Sequence, residues 1–297
     1  MLRLAIKREK WIWGNVEEGI CQKGIWLWSE HCGVRYRFRT VCEREDCWVC
    51  GKEKSWAHYR RYTRGLKYIK EMVENGFVGY FVITCPDEER LEWASQERLR
   101  EITRYVKRLL KRELGKVKGV MRWHWAGEKN KKWYPHLNIL INFGYIEKEE
   151  LERIKKLIEE KIKVKVVYYH YAKNINKVLH WWRYIARPTF LLQSEVSYEV
   201  VKNMKNVIWF GFGKRQEEYE KMTGEEFLEM AYKMFKEGYF QNIKELARFI
   251  VTHNRCIFCG EKLKWKKISI KNIKNVKIGN ENNDWKSIGW GIFLKKE

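Results

Sequence analysis

Between residues 77 and 190 the spacing of apolar side chains changes period several times, and each change marks an element. GFVGYFVITC (76–85) is apolar and rich in β-formers and ends at Pro86, which predicts a buried strand. Across 89–114, Leu91, Ala94, Leu99, Ile102, Val106, Leu109 and Leu110 recur at helical spacing. Two strands follow, VKGVMRWHWAG (117–127) and PHLNILINFGYI (135–146), separated by a polar turn. In 147–162, Leu151, Ile154, Leu157, Ile158 and Ile162 form one helical stripe; VKVVYYHYA (164–172) is again a strand. Ile175 to Ala186 reads as a last helix stopped by Pro188. The order β-α-β-β-α-β-α predicts an α+β fold with an RRM-like split βαβ antiparallel sheet and one added helix.

The flanks follow other patterns. Thr223-Gly224-Glu225-Glu226 is a capping box opening a helix whose Phe227, Met230, Ala231, Met234 and Phe235 share one face. A shorter helix carries Ile243, Leu246, Ala247 and Ile250. From Lys262 to Lys277 there are seven lysines and no acid, which suits a phosphate-contacting arm or a solvated, strand-rich surface. Three segments result: an N-terminal zinc-binding module (1–60), the central sheet domain (61–200) and a helical, basic C-terminal region (201–297).

Composition narrows the function. In 297 residues, 61 Lys and Arg face 38 Asp and Glu, a net charge of +23, and 16 Trp and 16 Tyr accompany them. Such a chain suits a polyanion with stackable rings, so nucleic acid is the expected partner. At 45% hydrophobic, disorder throughout is excluded. No uncharged run approaches a bilayer span and the start lacks an apolar leader, so neither secretion nor membrane insertion is expected.

Five of the 8 cysteines fall between Cys21 and Cys50. Cys32-x9-Cys42-x4-Cys47-x2-Cys50 offers the four thiolates of a closed, structural Zn²⁺ site, with Cys21 and His31 as spare donors. Cys256-x2-Cys259, with His253 before it, is half a site; it can recruit Cys21, hold a second zinc with His253, or be inert.

On the strand around residue 136, the period of two places His136 and Asn138 on one face and Leu137 and Ile139 on the other. Glu128 lies eight residues upstream, near the end of the neighbouring strand. An imidazole, a carboxamide and a carboxylate converging there would suit a catalytic Mg²⁺ or Mn²⁺ with open positions. His124 could replace Glu128 or stack on a base, and Trp123 and Trp125 could serve as sheet-face platforms for bases.

This combination resembles the HUH endonuclease superfamily of rolling-circle replication initiators, relaxases and transposases, and within it the IS91-like transposases. The resemblance rests on Phe81-Val82-Ile83-Thr84-Cys85-Pro86, on Pro135-His136-Leu137-Asn138 and on LHWWRYIARPTFL, in that order, and spans residues 32–260. It implies that Tyr184 attacks a DNA phosphate, that single-stranded or hairpin DNA is the partner, with duplex origin DNA and a homodimer as further possibilities, and that the protein is cytoplasmic and nucleoid- or plasmid-associated. Proximity along the helix makes Arg183, Arg187 or Lys177 candidates to contact the DNA and assist the phenol. Asn138 stands where the family has its second histidine, and His180 where the two-tyrosine transposases have a second tyrosine. A single nucleophile fits a replication initiator or a simplified transposase. A non-catalytic zinc protein that binds single strands is the alternative.

Overall fold

A computed structural model describes residues 26–295 except 40–41, 48, 54, 75, 127–131, 165, 191–195, 213–215, 269–284 and 290–291. In chain order its elements are β1 (Trp26–His31), β2 (Val34–Arg39), α1 (Trp56–Glu74), β3 (Val78–Thr84), α2 (Gln96–Leu114), β4 (Gly119–Ala126) and β5 (Trp133–Ile141). Then come α3 (Lys148–Ile162), β6 (Val166–Ala172), α4 (Ile175–Ala186), β7 (Val207–Phe210), α5 (Gln216–Lys221), α6 (Gly224–Lys236) and α7 (Ile243–Thr252). β8 (Lys266–Ile268), β9 (Trp285–Gly289) and β10 (Ile292–Lys295) complete the set. The backbone divides into two units, one built on Gly65–Lys214, the other on Asn15–Arg64 with Arg215–Glu297.

The first unit is an α+β structure around an antiparallel sheet in the order β6-β3-β5-β4-β7. Leu137, Ile139, Phe81, Ile83 and Met121 point to one face, where Leu99, Ile102, Val106 and Leu110 of α2 and Ile154 and Ile158 of α3 bury them. The helix expected from residue 89 starts at Gln96, because the Ser95 side chain accepts the Arg98 N–H and fixes the N-terminus there. The short strand β7 has too few residues to show a period and was not expected; it pairs with β4. Trp123 and Trp125 are not platforms for bases: both are buried on the α2/α3 side, stacked with each other at 6.0 Å, and Trp125 stacks on Trp133 at 5.8 Å.

The opposite face carries Tyr80, Asn138, His136, Arg122 and His124 under α4, whose Val178, Trp181, Trp182 and Ile185 are buried. Gly65 of α1 lies so close to Trp182 that a Cβ would come within 2.2 Å of its ring, so the contact needs a residue without a side chain.

The second unit corrects the three-segment division, since the first and last segments form it together. Its sheet runs β8-β1-β2-β10-β9: the β1–β2 hairpin has two open edges, and C-terminal strands pair with both. The C-terminal region is thus helical only in part. α6 begins at the capping box as read, with Thr223 accepting from Glu226 N–H and the Glu226 carboxylate accepting from Thr223 N–H. Phe227 of α6 stacks on Phe249 of α7 at 5.9 Å. Among the described residues no helix is long and apolar enough to cross a membrane.

Candidate functional site

Strand register builds the site in the first unit. Thr84, His136 and His124 form one row across β3, β5 and β4, and Val82, Asn138 and Arg122 the next. The alternation that puts Leu137 and Ile139 in the core therefore sends both polar rows to the α4 side, as expected for His136 and Asn138.

Arg122 and His124 hold α4 by its C-terminal end. The buried Arg122 guanidinium donates from Nε to Ile185 O and from Nη2 to Arg187 O, each at 2.7 Å. His124 Nε2 contacts the same Ile185 carbonyl at 3.0 Å. The last carbonyls of a helix have no partners of their own and carry the negative end of its dipole, so a cation and an N–H donor are the groups that satisfy them. Tyr184, in this last turn, is held with its ring 5.1 Å from that of His124, which lies 5.1 Å from that of His136. The Arg187 guanidinium lies 4.0 Å from the Tyr184 ring centroid. Arg122 was not anticipated: an arginine between Met121 and Trp123 reads as a solvent-facing position until α4 covers it.

His124 is wholly buried, and burial, with the charges of His136 and Arg122 adding to it, pushes its pKa well below the usual imidazole value. It is a neutral ring whose Nδ1 has no hydrogen-bond partner among the described residues. Asn138 is also buried; its Oδ1 accepts the Tyr80 hydroxyl at 2.6 Å and its Nδ2 has no partner among the described residues. Rotated by half a turn, the same amide would donate to Tyr80 and present its oxygen instead.

The remaining expected residues are placed unevenly. Arg183 is half-buried beside Tyr184. Lys177 is exposed two turns earlier, its ammonium 5.4 Å from the Trp181 ring, so it is not brought to the phenol as Arg187 is. Glu128 lies outside the described residues.

The cysteines of the second unit form two clusters rather than one local set. Cys42, Cys47 and Cys50 converge, with Cys42 Sγ and Cys50 Sγ 3.7 Å apart. Cys32 does not join them. The β1–β2 hairpin turns at Cys32-Gly33, both with positive φ (49° and 67°), and carries Cys32 with His31 to Cys256 and Cys259. Cys32 Sγ lies 3.4 Å from Cys259 Sγ and 3.1 Å from His31 Nδ1. Sulfurs bound to one Zn²⁺ at about 2.3 Å sit roughly 3.8 Å apart in a tetrahedron, so either cluster could hold a structural metal such as zinc.

His253 is excluded from the second set. Its ring packs 4.4 Å from Phe249 and its Nδ1 contacts Phe249 O at 2.9 Å. Cys21 lies outside the described residues. Burial pushes the Cys256 thiol up, but hydrogen bonds from Tyr36, the Cys259 and Phe258 amides and His31 outweigh it and bring it to about 7. Cys32, hydrogen-bonded to Cys259 and beside Cys256, is pushed up to about 12.

The chain matches no protein-family model, no curated protein and no solved structure. Its chemistry rests on the geometry above.

Proposed function

We propose that this chain is an HUH-type endonuclease that nicks and rejoins single-stranded DNA through a tyrosine, as the order of its motifs implies. The observation that supports this reading is the row His136–His124–Tyr184, in which the Tyr184 ring of α4 lies 5.1 Å from that of His124, itself 5.1 Å from that of His136. Tyr184 Oη attacks phosphorus and the bond from phosphorus to the 3′ oxygen breaks. The phenolic proton is lost, the 3′ oxygen gains one, and a 5′-phosphotyrosine and a free 3′-hydroxyl result. Attack by another 3′-hydroxyl reverses the exchange and rejoins strands without an external energy source. Arg187 sits where it can offset charge developing on the phenol oxygen.

Mg²⁺ or Mn²⁺ is the expected cofactor of this chemistry; the buried His124 Nδ1 lone pair, and the Asn138 carboxamide once turned to present its oxygen, would suit a cation. His136 and Asn138 would hold the ion, with Glu128 as the carboxylate ligand; when bound it supplies positive charge to the phosphate oxygens. In the second unit both cysteine clusters are read as structural Zn²⁺ sites, and the net charge of +23 suits the DNA partner. Rolling-circle initiation and transposition share this chemistry.

Incubation with single-stranded oligonucleotides and Mn²⁺ should give a covalent adduct on a denaturing gel, absent with EDTA and in Tyr184→Phe. No adduct with any library substrate would favour a non-catalytic binding protein, and an adduct surviving in Tyr184→Phe would move the nucleophile to another tyrosine.

A further inference from the structure

We propose that a cleft between α6 and the Cys256–Cys259 turn, in the second unit, binds one unpaired base of single-stranded DNA and prefers guanine to thymine. That the strand is DNA rests on the reading above; the cleft itself does not.

Two glycines seat the turn on the helix. A Cβ on Gly224 would meet Cys259 O at 2.2 Å, and one on Gly260 would meet Gly224 O at 1.9 Å, so the backbones touch with no side chain between them. The Phe258 N–H donates to Cys256 Sγ at 3.5 Å, which ties the tip of the turn to the cysteine cluster. Beside this contact opens a cleft of about 530 Å³, lined by Glu225, Glu229, Tyr232, Lys233, Lys236 and Phe258.

The helical residues of the cleft recur at i, i+4, i+7, i+8 and i+11, so they share the face of α6 turned away from the buried Phe227, Ala231 and Met234. Phe258 is 59% exposed and Tyr232 46%, and neither ring meets another among the described residues. Two large rings left in water at one cleft offer stacking faces, and every base has a flat face to match them. The platform expected of Trp123 and Trp125, which are buried, lies here instead.

Charge separates along the helix. Glu225 and Glu229 stand toward its N-terminus and Lys233 and Lys236 toward its C-terminus, and none of the four makes an ion pair among the described residues. Ionised carboxylates only accept hydrogen bonds, so they select a base edge that donates. Guanine offers adjacent N1–H and N2–H groups, and cytosine and adenine offer an amino group. Thymine offers one N–H between two carbonyls, which the acids repel. Lys233 and Lys236 stand where the phosphates flanking that base would be met, and the acids keep phosphate out of the other half. A strand therefore enters with its base toward Glu225 and Glu229 and its backbone toward the lysines.

The test is fluorescence anisotropy of short labelled strands on the full-length, zinc-loaded protein. A thymine strand with guanines at its centre should bind about tenfold more tightly than an all-thymine strand. Tyr232→Ala and Phe258→Ala should each weaken the guanine strand about tenfold. Glu229→Gln, whose amide can donate to thymine, should shrink the preference for guanine; Lys236→Glu should weaken both strands and flatten the salt dependence. Equal binding of the two strands, full affinity for the guanine strand in both folded aromatic variants, or binding of the RNA counterpart alone would each overturn the proposal. The gel assay separates the two claims. Guanine-selective binding that is lost in the aromatic variants, with no covalent adduct from any strand, would keep the cleft and remove the nuclease reading. An adduct from a protein whose strand affinity ignores both substitutions would do the reverse.

Discussion

The two units hold their polar clusters by opposite means. In the first, a continuous sheet with tightly packed helices on one face fixes His124, His136 and Asn138 before any ligand arrives, and each makes a hydrogen bond to its surroundings. In the second, five buried residues besides Cys256 itself back the His31/Cys32/Cys256/Cys259 cluster, and one, Ala57, besides Cys50 backs Cys42/Cys47/Cys50, among those described. An ion would arrive at a finished frame in the first unit and would help to make the frame in the second.

Stripping metal should expose this contrast most sharply. Structural zinc is worth about 10–16 kcal/mol of apparent binding energy in small domains, comparable to a whole domain's stability. Hydrogen exchange after treatment with a strong chelator should show β1, β2 and residues 256–263 losing protection while β3 to β6 keep theirs. Uniform protection with and without metal would erase the difference between the units. The pH dependence has a definite sign. Cys32, pushed up to about 12, is protonated near neutrality without metal, so uptake must release protons and weaken as pH falls; buffer-dependent heats in calorimetry would measure this.

Next in size is Arg122→Met. It removes two donors from Ile185 and Arg187 and should cost about 3 kcal/mol, seen as an early unfolding of the first unit and as loss of adduct. Gly260→Ala tests the second unit without touching a thiol. Gly260 has φ +69°, and a Cβ there would fall 1.9 Å from Gly224 O, so a loss of about 2 kcal/mol and weaker metal retention are expected. Tyr80→Phe should have the smallest effect. It deletes one buried hydrogen bond to Asn138 for about 1–2 kcal/mol by denaturant titration, and leaves both imidazoles in place.

These regions also differ in how far they could be read from the chain. The placement of His136, Asn138 and Tyr184 was legible because each sits on a single element with an unambiguous period, and Asn174 and Pro188 bracket α4. Arg122 was not, because its partners are backbone carbonyls of a helix more than sixty residues later, which no side-chain pattern announces. The four-cysteine reading of Cys32, Cys42, Cys47 and Cys50 failed for the same reason: spacing describes neighbours in sequence, while Cys32 is carried by a hairpin to a pair more than two hundred residues away. His31 was a spare donor that the hairpin makes a member.

That long separation has a consequence for biosynthesis. A ribosome exposes His31 and Cys32 early, but the nascent chain cannot enclose a metal with all four donors until Cys259 has emerged from the exit tunnel. A product truncated before Cys256 therefore carries only His31 and Cys32 of that set, leaving one thiol open to oxidation or to capture by the wrong ion.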